Sequence, residues 1–273
     1  TVASNAVVNI QTGVTFSGIV TNLGTINWLA GTLSISTNGT TMTGTIWNQP
    51  GALFDIQCDQ VLATGGTPAN FHNAGLVRKH TPTGSTTFNV SLDNSGKPQA
   101  QTGVISLPGR STENPAATLA ISLSGISPGT GFGKIQFSSK PTFSGKFALD
   151  TLNGYRPKLG DSFFVISYPS VAGDFTSFNG LDLGSGLRLA PHFSASGLTL
   201  VTGSYPIYTV PSLTMDRSIA GYLVAWPVNF TNWQLQFTTN IVASSAWTTV
   251  PVNGINNGVF VATEAQGYFR LIQ

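Results

Sequence analysis

The feature that most constrains this chain is a repeat built on Asn-x(1–2)-Gly steps. Aligned on the asparagine they read Val20-Thr-Asn22-Leu-Gly24, Ile46-Trp-Asn48-Gln-Pro-Gly51, Phe71-His-Asn73-Ala-Gly75 and Leu92-Asp-Asn94-Ser-Gly96. Each has an apolar residue two places before the asparagine, and the asparagines follow one another at 26, 25 and 21 residues. A unit of this length cannot bury its apolar face alone and must stack on its neighbours. The spacing matches one coil of a parallel β-helix with three short faces. A second marker recurs in Gln11-Thr-Gly-Val14, Ala30-Gly-Thr-Leu33 and Gln101-Thr-Gly-Val104. In such a coil each rung pairs with the rungs above and below at about 4.8 Å. The asparagines are expected to tolerate a left-handed backbone, to bond to neighbouring backbone and to stack as a ladder. The glycine that follows is expected to take positive φ. Hairpin turns in a sandwich would also use Asn-Gly steps; the even spacing favours the solenoid.

Short runs rich in Val, Ile, Thr and Phe, separated by Gly and Asn, replace any helical periodicity. Examples are Thr32-Leu-Ser-Ile35 and Thr86-Thr-Phe-Asn-Val90, and they read as strands with turns between them. Charged residues make up only 8% of the chain, against about 25% in an average soluble protein. With 17 Phe, 5 Trp and 6 Tyr the chain is not of the disordered class. Its polar surface must be Thr, Ser, Asn and Gly, which repels other copies only weakly. The net charge of +2 is scattered, the only small basic cluster being Arg78-Lys79-His80, so no nucleic-acid footprint is expected. No apolar run approaches the roughly 18 residues of a membrane helix. A single cysteine, Cys58, excludes an internal disulfide and reads as a small buried hydrophobe. A chain opening on Thr1, without Met or leader, is expected of a mature secreted protein.

The stretch Phe71-His-Asn-Ala-Gly-Leu-Val-Arg-Lys79, followed by Gly84-Ser-Thr-Thr87, Leu92-Asp-Asn-Ser-Gly96 and Gln101-Thr-Gly-Val-Ile-Ser-Leu107, resembles the repeats of large bacterial surface β-helix proteins. Those are similar in style to autotransporter passenger domains and filamentous adhesins. The resemblance spans residues 1–110. It implies a right-handed parallel β-solenoid at the cell surface or outside the cell, and it brings no catalytic residues and no cofactor. Residues 118–202 continue as strands without the asparagine marker and look like the region that closes such solenoids, whose last rung is otherwise an open edge. The composition shifts near Gly203. Residues 204–211 read as an extended linker, so the solenoid with its capping segment is assigned to 1–203. Residues 212–273, with Tyr222-Leu-Val-Ala-Trp-Pro227, Trp233-Gln-Leu-Gln-Phe237, Trp247-Thr-Thr-Val250 and Tyr268-Phe-Arg-Leu271, resemble a small C-terminal β-sandwich module of secreted bacterial proteins.

Chemistry is sparse. Asp55 and Asp59 are four apart on an expected strand and could share a face, but no basic cluster lies beside them in sequence. Asp150, Asp161, Asp174 and Asp182 sit beside Gly or turn residues, where Asp bonds its own backbone; they lack the regular acidic spacing of calcium-binding solenoids. His72, His80 and His192 have no metal-ligand spacing. Gly129-Thr-Gly-Phe-Gly133 lacks the Lys-Ser/Thr step of a phosphate loop. The chain is therefore expected to be an all-β, non-enzymatic, extracellular structural or adhesive protein. Its named elements are the turn ladder Asn22, Gly24, Asn48, Gly51, Asn73, Gly75, Asn94 and Gly96, and a first strand carrying Val2, Val7, Val8 and Ile10. That strand could complete a neighbouring copy's edge and build a head-to-tail fibre. A carbohydrate-binding module using exposed Trp28, Trp47 and Trp233, with polysaccharide as the partner, is the alternative. A polysaccharide-degrading enzyme with acids converging on one face is the third reading.

Overall fold

A computed structural model describes residues 1–37, 43–66, 68–204, 213–217, 219, 221–226, 233–241, 246–251, 258–262 and 267–272. The chain coils through three faces. The first face is an eight-stranded sheet of Val7–Ile10, Thr25–Trp28, Leu53–Ile56, Leu76–Lys79, Lys97–Ala100, Thr118–Leu123, Lys146–Thr151 and Ser177–Asn179, each paired in parallel with the next. The second face runs from Val14–Ser17 to Ser162–Ser167 in parallel and then changes character. Gly197–Ser204, Leu187–Ser194 and Asp182–Gly184 add to its end as antiparallel strands, making ten in all. The third face has five strands, Ile19–Asn22, Gly44–Asn48, Ala69–Asn73, Ser91–Asn94 and Ser111–Glu113. This is a parallel β-solenoid. Residues 118–179 still climb as rungs, so closure falls later than their loss of the asparagine marker implied; the closing segment is the antiparallel run 182–204.

The period-two alternation of the strands sets the core. Ile10, Trp28, Ile56, Lys79, Ala100, Ile121 and Leu149 form one inward column of the first face by successive register. Val20, Ile46, Phe71 and Leu92 form another on the third. Between the faces, aromatic rings meet edge to face: Trp28 on Phe54 at 6.2 Å, Phe54 on Phe71 at 5.2 Å and Phe71 on Phe88 at 5.5 Å. Higher up, Phe143, Phe147, Phe175 and Phe178 make a second cluster. Trp28 is wholly buried, with its Nε1 donating to Gly31 O at 2.8 Å, which corrects its reading as an exposed sugar-stacking residue.

Residues 205–212, which include most of the expected linker, lie outside the described residues. Beyond them, two three-stranded antiparallel sheets follow: Thr214–Arg217, Gly221–Ala225 and Gly258–Ala262, and Thr248–Thr249, Gln234–Thr238 and Tyr268–Ile272. Val224, Trp226 and Leu235 form a small core of their own, while Leu223 and Ile219 join the solenoid's core. Arg188 of the second face reaches Thr214 and Asp216. The C-terminal unit is thus seated on the solenoid through both apolar and charged contacts.

The aromatic column predicts an asymmetry. Phe71→Ala should cost about 3–5 kcal/mol, because the rungs above and below hold the cavity open. Trp47→Ala, on the outer surface of the same sheet and 39% exposed, should cost under about 1.5 kcal/mol. Denaturant unfolding of the two variants beside the parent chain measures both.

Candidate functional site

The four marker asparagines end the successive strands of the third face and turn inward at the corner, all of them buried. Asn22 Nδ2 donates to Asn48 Oδ1, Asn48 Nδ2 to Asn73 Oδ1 and Asn73 Nδ2 to Asn94 Oδ1, each at 2.8 Å. The remaining capacity is used locally. Asn22 and Asn48 also donate to the carbonyls of Leu53 and Leu76, and Asn22 and Asn94 accept from the amides of Gly24 and Gly96. Every amide donates in the same direction along the solenoid axis, so the last one needs an acceptor. Glu113 occupies that fifth place, opposite Asn94 in the register. Its Oε2 accepts from Asn94 at 2.6 Å and its Oε1 from Ser111 Oγ at 3.0 Å.

The backbone reason for the motif differs from the sequence expectation. None of the four asparagines has positive φ, and of the glycines only Gly51 does, at 82°. Gly24, Gly75 and Gly96 are required instead by close approach. A Cβ on Gly24 would lie 2.2 Å from Ala3 O, on Gly75 2.5 Å from Ala52 O, and on Gly96 2.3 Å from Gly75 O. At three of the four corners the rungs thus lie so near that the glycine two places after the asparagine can have no side chain, whereas a Cβ on Gly51 would meet nothing within 4 Å.

Stacking also assembles a charged cluster that sequence separation hides. Arg78 lies directly above Asp55 in the register. Its Nε donates to Asp55 Oδ1 at 2.8 Å, and Gln57 Nε2 donates to Asp55 Oδ2 at 2.7 Å. His80 Nδ1 lies 3.2 Å from Asp55 Oδ1, close enough for charge attraction but out of line for a hydrogen bond. Asp59 does not share a strand with Asp55; it sits in the turn after Leu53–Ile56. It accepts from Lys79 Nζ at 2.7 Å and from Gly84 N at 2.9 Å. Lys79 occupies an inward, otherwise apolar column and is wholly buried, with a second bond to Cys58 O at 3.3 Å. The absence of a neighbouring base is therefore corrected: the next rung brings Arg78, Lys79 and His80 onto both acids.

These groups are saturated rather than poised. Asp55 is buried with a donor on each oxygen, and Asp59, though exposed, also accepts on each oxygen, so both carboxylates are tied into the fold. Burial pushes the Cys58 thiol up to about 11, leaving it protonated and unreactive at neutral pH. Asp161 accepts from Lys158 N, Asp174 from Phe175 N and Asp182 from Gly184 N, which is turn chemistry. Among the described residues no three His, Cys, Asp or Glu side chains converge as metal ligands do, and no helix is long and apolar enough to cross a membrane. His72 faces outward on the third face, stacked on Trp47 at 3.9 Å and 3.1 Å from Asp93. Trp233 is half-buried.

The first strand forms an edge. Among the described residues Val7–Ile10 pairs only with Thr25–Trp28, and Val2 bridges Asn22. Ile10 is buried, Val2 packs against the core, and Val7 and Val8 are 61% and 38% exposed. Residues 1–54 contain no Asp, Glu, Lys, Arg or His at all. That signal was legible in the sequence, but the overall charge fraction conceals it.

Two predictions follow from the ladder. Asn73→Ala removes a link between two buried amides and should cost about 2–4 kcal/mol. Asn27→Ala, which breaks an exposed Asn27–Asn9 bond, should cost under about 1 kcal/mol. Burial, partly offset by the bonds from Asn94 and Ser111, raises Glu113 from 4.5 to about 7. The folded chain thus holds a proton on Glu113 that the unfolded chain loses near pH 4.5. Its contribution to stability should fall as pH rises from 4.5 to about 7, by on the order of 3 kcal/mol, and stay low above that. Glu113→Gln, whose carbonyl can still accept from Asn94, should remove this loss; urea midpoints of both chains between pH 4 and 8 measure it. No family model matches this chain, and no curated protein matches it.

Proposed function

We propose that this protein is a non-enzymatic, extracellular structural or adhesive element that associates with its own kind through the strand edges of its first rung. The observation that carries the reading is the missing charge in residues 1–54. Solenoid and sheet edges are normally blunted by lysines, inward charges or a covering element. Here the edge strand Val7–Ile10 presents exposed Val7 and Val8 beside asparagine and glutamine, with nothing to repel an identical edge. The surface location rests on the likeness of the repeats to those of bacterial surface β-helix proteins. The saturation of Asp55 and Asp59 favours a structural role over polysaccharide cleavage.

The two ends of the solenoid are unequal, and this bears on the kind of assembly. A head-to-tail fibre needs a matching edge at the far end. There the first face stops on the three-residue strand Ser177–Asn179, and the second is folded back through antiparallel strands. The uncharged first rung is a better partner for another first rung. A two-fold pairing of like ends closes on itself, so the expected first product is a dimer, with fibres requiring a second contact.

Sedimentation velocity and negative-stain microscopy of the chain Thr1–Gln273 at neutral pH test this reading. A dimer at micromolar concentration, reduced to monomer by Val8→Lys with unchanged circular dichroism, is the expected result. A parent chain that stays monomeric to about 100 micromolar would overturn it, since a Kd weaker than that corresponds to less than about 5.5 kcal/mol of association.

A further inference from the structure

At the closing end of the solenoid, a cleft of about 640 Å³ opens between the end of strand Lys146–Thr151, the loop that follows it, and the turn carrying Asp182 and Ser185. That volume lies within the range of about 300–1,000 Å³ typical of small-molecule sites. It is remote from the uncharged first rung and from the Asp55 cluster.

Its chemistry is mixed in a particular way. Asp150 is half exposed and held in place by Gln99 Nε2 at 3.0 Å, with Lys97 Nζ at 3.6 Å. Asp182 also lines the cleft, its Oδ1 held by Gly184 N at 2.7 Å. Tyr155 lines it with a ring packed against the solenoid core and a hydroxyl 3.3 Å from Asp161 Oδ2, so the ring is fixed in advance. Arg156 is exposed, and among the described residues its guanidinium has neither an ion-pair nor a hydrogen-bond partner. Such a group is a set of five donors awaiting an acceptor.

The backbone around the cleft is unusual as well. Among the described residues only two that are not glycine have positive φ: Asn153 at 54°, in the loop just before Gly154, and Ser185 at 55°, in the lining itself. Each is followed by a glycine that also has positive φ, Gly154 at 70° and Gly186 at 75°, so each opens a tight two-residue turn that fixes the rim of the cleft. Both flank this one cleft.

We propose that this cleft binds a neutral oligosaccharide. Two carboxylates are acceptors for vicinal hydroxyls, the guanidinium is a donor to ring and hydroxyl oxygens, and a fixed tyrosine ring offers an apolar face. A hydroxyl-rich ligand uses all three, since each hydroxyl both donates and accepts. The lining holds two acids and one arginine, with Lys97 beside Asp150, so the charges balance and an anionic ligand such as a uronate chain or a nucleotide gains no net attraction. The assignment is independent of the self-association proposed above and would stand if the chain were monomeric.

Saturation-transfer NMR with the full chain tests it, using glucose-, galactose-, mannose- and N-acetylglucosamine-based trisaccharides at millimolar concentration, with trigalacturonic acid as the anionic arm. At least one neutral trisaccharide is expected to bind and trigalacturonic acid to bind at least tenfold more weakly. Arg156→Ala and Asp150→Asn should each weaken binding tenfold or more. Thr151→Trp fills the cleft from an exposed strand position while every charged residue of the lining is kept, and it should abolish binding while circular dichroism is unchanged. Absence of binding by every neutral trisaccharide would overturn the proposal. So would retention of full affinity in folded Thr151→Trp, or preferential binding of trigalacturonic acid.

Discussion

The structure depends on a chain of buried amides that ties each rung to the next at one corner. Parallel rungs supply their own hydrogen bonds along the faces, but at a corner the backbone turns and its polar groups face inward. The asparagine ladder resolves this by putting one side chain per rung into the corner, each donating to the next and taking up neighbouring backbone groups. Directionality then imposes an end. A column of amides that all donate one way must terminate in an acceptor, and Glu113 is that terminus. The five-stranded face stops at the same rung. Beyond it the third side has only the two-residue strands Thr142–Phe143 and Ala172–Gly173, and the Phe143–Phe175 stack fills the interior instead. One change of residue, Asn to Glu, marks where a hydrogen-bonded corner gives way to an aromatic-filled one.

Similar rungs have a register problem that ordinary sheets do not: any rung can in principle stack on any other. The cross-rung charges bear on this. Asp55 pairs with Arg78 and Asp59 with Lys79, always between adjacent turns of the same coil. Because Lys79 stands in a column otherwise filled by Ile, Trp, Ala and Leu, displacing its rung would leave an ammonium buried without Asp59. A buried pair is weak evidence for stability, since its desolvation offsets much of its attraction, but an unpaired buried charge is costly. The pair therefore acts against wrong registers more than for the right one. The uncharged rungs before it lack this device and rely on the asparagine column and on fit between side chains.

Much of this architecture was legible in the sequence because a solenoid writes its period directly into the chain. Asn22, Asn48, Asn73 and Asn94 could be aligned by eye, and the apolar residue two places earlier is the same inward column that holds Val20, Ile46, Phe71 and Leu92. What could not be read were contacts between rungs. Arg78 and Asp55 are 23 residues apart, and only the register makes them neighbours. Glu113 was missed because the marker changes residue type at its last place, 19 residues after Asn94. Trp28 was misjudged although period two separates it from Trp47: Trp28 stands two places after Ile26 and shares its inward face, whereas Trp47 directly follows the inward Ile46 and must point out. The glycines were recognised for the wrong reason: the sequence says that a side chain is absent, but only the packing says that Ala3 O or Ala52 O stands where it would be.

The faces of this solenoid are regular and its two ends are unequal. Along the sides, outward columns such as Trp47, His72 and Asp93 stack on one another and use up the surfaces they might offer. At the first rung, by contrast, each sheet has an edge and no charge guards it. At the last, the coil is broken by antiparallel strands, and the irregular turns needed to break it leave a cleft with fixed polar groups. A regular solenoid cannot build such a cleft within its rungs, because every outward position is repeated about 4.8 Å away. The chain is thus uniform and uncharged at one end, irregular and charged at the other, because only where the coil is broken can unlike side chains meet in one place.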